Sequence, residues 1–256
     1  MRVQRGVYSH FFVLTLLQYG CVLLSGFLKS KKGVYSFTLD HWNELWSIGA
    51  SPVVRSVVYA LIVAVVGTLF AALFAYYMDR RRIPGRAFFD CIATMPYMLP
   101  GTCFGIGYIL AFNHAPLKLT GTAIIVLANM LFKQLPTSAK ICSATLAQLQ
   151  PAQERSAQDL GAGRLAVIRD VVLPNMRPAL LSCFVYNFTS SMTTAGAIIF
   201  LIDPSRQLAV FRLFDAVYRG DYALASVLAS VITAIVLAVE GLVWLLSRKE
   251  GKRRVS

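Results

Sequence analysis

Two stretches of the chain, Val57–Met78 and Cys91–Phe112, contain no charged residue. Each is close to the ~20 apolar residues that a helix needs to cross the hydrocarbon core of a bilayer. In lipid only a helix or a closed barrel satisfies its own backbone, so runs of this kind fix the fold class before anything else is read. Four more segments follow the same logic. The pattern predicts an all-α integral membrane protein with six transmembrane helices at about 11–28, 57–78, 89–112, 120–149, 179–202 and 222–247. The fourth is uncharged only as far as Phe132, but apolar positions continue through Leu135, Ile141, Leu146 and Leu149, as in a helix buried on one face and bent at Pro136. The first is longer than the usual 7–15-residue core of a signal peptide and is expected to be retained.

Composition agrees. The 256 residues are 57% hydrophobic and 14% charged, with mean hydropathy +0.61, which excludes an ordinary soluble domain and a disordered chain. The balance of 25 Lys and Arg against 12 acids gives +13, and in such a chain it reads first as an orientation signal. Arg2, Arg5, Arg80, Arg81, Arg82, Arg86, Lys133, Lys140, Arg155, Arg164, Arg169, Arg177, Arg248, Lys249, Lys252, Arg253 and Arg254 fall on one side; Lys29, Lys31, Lys32, Arg55, Lys118, Arg206, Arg212 and Arg219 fall on the other. The split of about 17 against 8 puts the first side, and both termini, in the cytoplasm by the positive-inside rule. The lysines after the first span run against it locally.

Three polar segments are long. The outer segment 29–52 carries Tyr35, Trp42 and Trp46, which suit the headgroup level of a membrane. The outer segment 203–221 is expected to form a short amphipathic helix capping the bundle. On the cytoplasmic side, 150–178 places Ala157, Leu160 and Ile168 where they can share a helical face, interrupted by Gly161 and Gly163. Two glycines so spaced predict a turn between two short helices, with Pro174 and Pro178 ending the second and restarting the chain.

From Gly161 there are nine residues, then Val171, one residue, and Leu173-Pro174. Upstream stand Glu154, Ser156, Ala157, Asp159, Leu160 and, after the glycine, Ala162. This resembles the EAA-type motif of binding-protein-dependent ABC transporter permeases: EAA, three residues, G, nine residues, I, one residue, LP. The glutamate position of the motif holds Arg155, with Glu154 one place earlier. The resemblance implies a type-1 ABC importer permease fold and a single permease domain over 1–256. It implies that 150–178 is a coupling loop docking into a separate ATPase dimer, with Gly161 making the tight turn and Ala157, Leu160 and Ile168 supplying docking contacts. It also implies no cofactor in this chain, ATP-Mg being bound by the ATPase. The partners implied are a second permease subunit, self or sister, and an extracytoplasmic substrate-binding protein, at the bacterial inner membrane.

The stretches IPGRAFFDCIATMPYMLPGTCFGIGYILAF and SSMTTAGAIIFL, with DPSRQLAVFRLFDAVYRGDYALAS after the latter, resemble the iron(III), thiamine and aminoalkylphosphonate branch of these permeases. That resemblance implies iron(III) first as substrate, with thiamine, aminoalkylphosphonate and polyamine as alternatives.

Pro96, Pro100, Gly101, Gly105 and Gly107 crowd the third span, predicting a distorted helix with a GxxxG contact face. Asn187, Thr189, Ser190, Ser191, Thr193 and Thr194 are too polar for lipid and are expected to face a neighbouring helix or a hydrated pathway. Pro96, Pro100, Gly101, Asn187, Ser190, Ser191, Thr193 and Thr194 are therefore the candidate pathway residues. Asp90 is expected to pair with Arg86 or the Arg80–Arg82 cluster, and Glu240 to reach water or a partner. His10, His41 and His114 are scattered, and Cys21, Cys91, Cys103, Cys142 and Cys183 form no CxxC pair, so no metal site or disulfide framework is predicted. The absence of GxxxxGK[ST] disfavours an ATP hydrolase, and the absence of GxSxG or a metal motif disfavours a membrane enzyme. An ion-coupled carrier would need pathway charges and internal repeats, neither of which is evident.

Overall fold

The computed structural model describes residues 2–31, 34–43, 50–81 and 84–253, most of them helical. Lys32, Trp46, Arg82 and Arg254 lie outside the described residues. The chain divides into two compact units, Met1–Ser56 with Gln207–Leu237, and Val57–Arg206 with Ala238–Ser256.

The first unit begins with α1 (Arg2–Ser25), followed by the antiparallel strands β1 (Leu28–Lys31) and β2 (Val34–Phe37), in register from Leu28 opposite Phe37 to Lys31 opposite Val34. The first apolar run therefore ends three residues earlier than the composition suggested, because Leu28 joins the hairpin. Phe27 stacks on Phe37 with ring centroids 5.6 Å apart and meets Trp42 in a tilted contact at 5.2 Å, which helps hold the hairpin closed. The unit also contains the first residues of α2 (Ser51–Arg80), the helix α10 (Ala209–Tyr218) and the first half of α11 (Tyr222–Arg253). Helix α10 is the amphipathic helix expected in 203–221; Ala216 buries against Leu224, Ala225 and Leu228 of α11. Arg55 Nη1 donates to Gln207 O at 3.2 Å, and Ala209 N donates to Ser56 Oγ at 2.8 Å, tying this segment to the start of α2.

In the second unit the elements are the rest of α2, α3 (Arg86–Met98), α4 (Gly101–Phe112), α5 (Ala123–Leu146), α6 (Pro151–Asp159), α7 (Arg164–Val167), α8 (Leu173–Asn175), α9 (Arg177–Thr193) and the end of α11. Helix α2 buries five alanines along with Val63, Tyr76 and Met78. Ala60, Ala64, Ala71, Ala72 and Ala75 are buried, whereas Leu61, Ile62, Val65, Val66, Leu69, Phe70 and Leu73 are exposed. Water would punish such a surface; lipid tolerates it, and small inward residues let helices approach closely. Helices Ser51–Arg80 and Tyr222–Arg248 are each long and apolar enough to cross a membrane.

The third predicted span is not one helix. Its two parts, α3 and α4, meet at a bend of 117°. Leu99 and Pro100 are extended there, with ψ near 138° for both; a residue preceding proline is disfavoured in the α region, and Pro100 has no N–H to continue the ladder. The fourth is α5, shorter at both ends than predicted and running unbroken through buried Pro136, with Thr122 Oγ1 accepting from Ile125 N at its start. Lys133 and Lys140, counted above with the cytoplasmic charges, lie inside α5. The fifth ends at Thr193, not near residue 202. Thr193 Oγ1 and Thr194 Oγ1 bond back to the carbonyls of Thr189 (3.0 Å) and Ser190 (2.6 Å), Thr194 turns extended, and residues 196–201 form turns. The core of the unit joins Ala71, Ala72, Ala75 and Tyr76 of α2 with Leu135, Ala139, Cys142 and Leu146 of α5 and with Val167, Ile168 and Val172 after the glycine hinge.

Candidate functional site

The segment 150–178 folds as two short helical pieces about a glycine. Pro151 opens α6, where its missing N–H costs nothing. The helix ends in a Schellman motif: Ala162 N donates to Ala157 O (3.0 Å) and Gly161 N to Gln158 O (2.9 Å). The motif demands a left-handed residue at its centre, and Gly161 has φ +87°. Gly163, the second glycine of the pair, has ordinary φ −66° and begins α7. Pro174 does not stop the second piece. Residues Ile168–Val172 widen into a π-helical turn, with Leu173 N donating to Ile168 O, and the helix carries on through α8 to Asn175. A π turn lets the chain absorb a proline that lacks the donor an α-helical ladder would require. Pro178 opens α9 as expected.

Of the three apolar residues expected on one docking face, only Leu160 is on the surface, 89% exposed. Ile168 is buried, and Ala157 packs with Ala162 against the core. These two anchor the segment from behind. The residue that joins Leu160 on the surface is Leu165, 80% exposed. Among the remaining motif residues, Ser156 and Asp159 are exposed, while Val171, Leu173 and Pro174 are half-buried. Arg169 Nε lies 2.7 Å from Asp170 Oδ1, and this hydrogen bond holds the Asp170 carboxyl below its ordinary range.

Glu154 is the polar anchor. Its Oε1 lies 3.0 Å from Arg80 Nε, and its Oε2 accepts from Tyr76 OH at 3.1 Å. The same guanidinium donates from Nη2 to Leu146 O (2.9 Å) and Leu149 O (2.6 Å). Arg80, the last residue of α2, thus holds the carbonyl end of α5 and the first turn of α6 at once. Both charged side chains are largely buried, whereas Arg155, at the motif's usual glutamate position, is exposed. The carboxylate thus faces the protein. Sequence reasoning missed the clamp because Arg80 and Tyr76 read only as a flanking charge and an apolar position.

The polar residues of α9 divide. Asn187 and Ser191 are buried in a network inside the chain: Ser138 Oγ donates to Asn187 Oδ1 (2.8 Å), Asn187 Nδ2 to Thr68 Oγ1 (3.3 Å), and Gln134 Nε2 to Ser191 Oγ (3.0 Å). Thr194 is also buried; Ser190 is half-buried and Thr193 exposed. At the bend, Pro96 and Gly101 are half-buried and Pro100 exposed. The GxxxG face of α4 meets the turn after α9 rather than a helix, and a Cβ on Gly105 would collide with the Ala197 carbonyl. Arg86 pairs with Asp79 (2.8 Å) and Arg80 with Glu154, so neither is the partner expected for Asp90. Glu240 Oε1 accepts from Thr189 Oγ1 at 3.3 Å. Among the described residues no group of three His, Cys, Asp or Glu is placed to hold a metal ion.

The family model described as binding-protein-dependent transport system inner membrane component matches residues 64–250. A ferric transport system permease protein of Actinobacillus pleuropneumoniae is 31% identical over 232 residues, covering 89% of this chain and 34% of that protein. This chain therefore spans about a third of the length of that relative. A sulfate transport system permease protein of Salmonella typhimurium is 29% identical over 259 residues, covering 94% of this chain and 93% of that one. Among solved structures, a bacterial alginate ABC transporter in complex with an alginate pentasaccharide-bound periplasmic protein contains a chain similar in fold, with TM-score 0.75 and 16% identity, covering 97% of this chain and 93% of that chain.

Proposed function

Because the chain belongs to the family of binding-protein-dependent transport system inner membrane components, we propose that it is the permease subunit of a bacterial ABC importer and forms half of the solute pathway. The observation that carries this reading is the hinge of 150–178. It shows Leu160 and Leu165 to the outside while Glu154, Ala157 and Ile168 fix it to the ends of α2 and α5. A rigid knob so anchored can receive a push from a separate ATPase dimer, which binds the ATP-Mg, and pass it to the helices. The chain itself contributes no catalytic group and acts as one permease domain beside a second permease, a copy or a sister, with an extracytoplasmic binding protein delivering solute.

In this reading the polypeptide is multi-pass in the inner membrane, crosses six times and keeps both termini in the cytoplasm. Removing Lys133 and Lys140 from the basic count leaves about 15 (17 − 2) against 8, the same sense of orientation. The third crossing is the broken α3–α4 pair. Pro96, Pro100, Gly101, Ser190 and Thr193 are the pathway candidates that the chain's own packing leaves at least partly open, whereas Asn187, Ser191 and Thr194 support the wall from within. Iron(III) is the first substrate proposed, supported by the ferric permease relative. The full-length match to a sulfate permease adds sulfate to thiamine, aminoalkylphosphonate and polyamine as alternatives.

The test is uptake into right-side-out or reconstituted vesicles containing the chain and its ATPase, with ATP inside and the binding protein outside. ATP-dependent import, with the ATPase copurifying and Gly161→Pro abolishing coupling while leaving the protein in the membrane, is the expected result. Import driven by an ion gradient without ATP would refute it.

A further inference from the structure

The charge least accounted for by the fold is Lys133. It lies ten residues into α5, about 15 Å from one end of the helix and about 20 Å from the other, so if α5 crosses the membrane this ammonium is near the midplane. A charge at that depth persists when it faces a water-filled cavity or a partner. No partner is present: among the described residues Lys133 makes no ion pair or hydrogen bond. Nor can α4, α5 or α9 supply one, since the sequence has no Asp or Glu between Asp90 and Glu154, or between Asp170 and Asp203; the acids of α2 and α3, Asp79 and Asp90, lie beside Lys140 instead. Helices α4, α5 and α9 are therefore free of acids.

The ammonium lies beside Gly101, at the break in the third crossing. A methyl group added to Gly101 would lie 3.1 Å from Lys133 Nζ and 3.2 Å from Ala197 N. Two turns further along the same face of α5 lies Lys140, with Thr137 between them, lining an open groove of about 420 Å³ with Tyr97, Pro136, Ile141 and Ala144. Lys140 differs in having acids nearby, for it also lines a small cavity with Asp79 and Asp90. The uncompensated positive charge is that of Lys133.

We propose that Lys133 is a substrate-contacting residue of the translocation pathway and that it selects solutes crossing as anions, either free oxyanions or a metal ion enclosed by anionic oxygen ligands. This rests on the permease reading above and narrows it to a substrate class. An ammonium donates three hydrogen bonds and accepts none, so it matches sulfate, a phosphonate or the carboxylates of a ferric chelate. A bare cation or a polyamine would be repelled at the same point.

The experiment uses the full chain with its ATPase and binding protein in vesicles, offering radiolabelled sulfate, 2-aminoethylphosphonate, ferric citrate and spermidine separately. Import of one of the three anions is expected, with Lys133→Gln slowing it about tenfold or more, as loss of a charge-assisted hydrogen bond implies, and Lys133→Arg restoring most of it. Import of sulfate or the phosphonate identifies a free oxyanion; import of ferric citrate alone identifies the chelate. Import of spermidine, or anion import unchanged in Lys133→Gln, overturns the inference while leaving the permease reading intact. Absence of ATP-dependent import of all four by the unaltered chain overturns the inference, and failure of the ATPase to copurify as well refutes the permease reading. As a readout independent of transport, Lys133→Cys should be labelled at position 133 by an anionic methanethiosulfonate reagent from water. No labelling there, or dissociation of the permease pair in Lys133→Gln, would show the lysine serving packing or assembly and would overturn the proposal.

Discussion

Replacing Arg80 by Met tests whether one guanidinium holds the hinge segment in place. The side chains of Arg80 and Glu154 are 16% and 14% exposed, and their 3.0 Å contact is joined by the Tyr76 hydroxyl. Removing one member of a fully buried pair costs about 3–5 kcal/mol, because the other charge is left without a partner. Here the residual exposure lets water reach Glu154, and the carbonyls of Leu146 and Leu149, at a helix end, can be rehydrated. We therefore expect about 3 kcal/mol, at the lower end of that range. The loss falls on local opening of 150–178, since the packing of α2 along its length is untouched. That energy corresponds to about a 100-fold rise in the open population. Hydrogen exchange of the full chain in lipid nanodiscs reads it at the amides of Leu160, Gly161 and Ala162, which bond to Ser156 O, Gln158 O and Ala157 O. Tyr76→Phe removes one bond to the same carboxylate and should raise exchange about fivefold, roughly 1 kcal/mol. Glu154→Gln keeps one oxygen to accept from Arg80 and turns an NH2 towards the Tyr76 hydroxyl, which can accept it, and should fall between the two. Combined with Arg80→Met it should cost about 2 kcal/mol less than the sum of the single effects. Exchange at these amides unchanged in Arg80→Met, or full additivity in the double variant, would refute the clamp.

Further expectations rest on separate features. Gly161→Ala meets no atom within 4 Å, so its effect is backbone strain alone, about 1–2 kcal/mol for a side chain in the left-handed region; thermal melting should show it, with Gly161→Asn milder. Asn187→Ala leaves Ser138 and Thr68 without their partner in a buried network and should destabilise by about 2–3 kcal/mol; an undiminished melting temperature would argue against that network. Leu160→Glu and Leu165→Glu, on the exposed rim, should change stability by no more than about 0.5 kcal/mol. Each should nonetheless weaken copurification of the ATPase about tenfold or more, the loss of a buried apolar contact at an interface.

Long uncharged runs were legible, and α2 and α11 appear where the composition placed them, because twenty apolar residues have few alternatives. The hinge was legible for a related reason: a glycine between two short amphipathic stretches has a specific backbone job, and Gly161 performs it. Breaks inside apolar runs were harder to read. Pro96 lies within a continuing helix while Pro100 divides one, and the sequence marks both with the same residue. The early end of α9 depends on threonine hydroxyls competing for their own helix carbonyls, which apolar counting does not register. The β1–β2 hairpin is held by Phe27, Phe37 and Trp42, aromatics that read equally well as membrane-interface residues. Arg80 and Glu154 are far apart in the chain, so their pairing is a product of packing. The inward turn of Ala157 and Ile168 was likewise undecidable from periodicity, which finds a shared face without saying what it faces.

Helix α2 has one further consequence. It is an unbroken helix of 30 residues, about 45 Å long. Arg55 near one end grips the carbonyl of Gln207, and Arg80 at the other end grips Glu154. A stiff rod fastened at both tips by guanidinium groups has little freedom to bend away a disturbance. A tilt of about 5° about one tip moves the other by about 4 Å, more than the length of a hydrogen bond. Small rotations at the Arg80 end are thus geared up with distance along the helix.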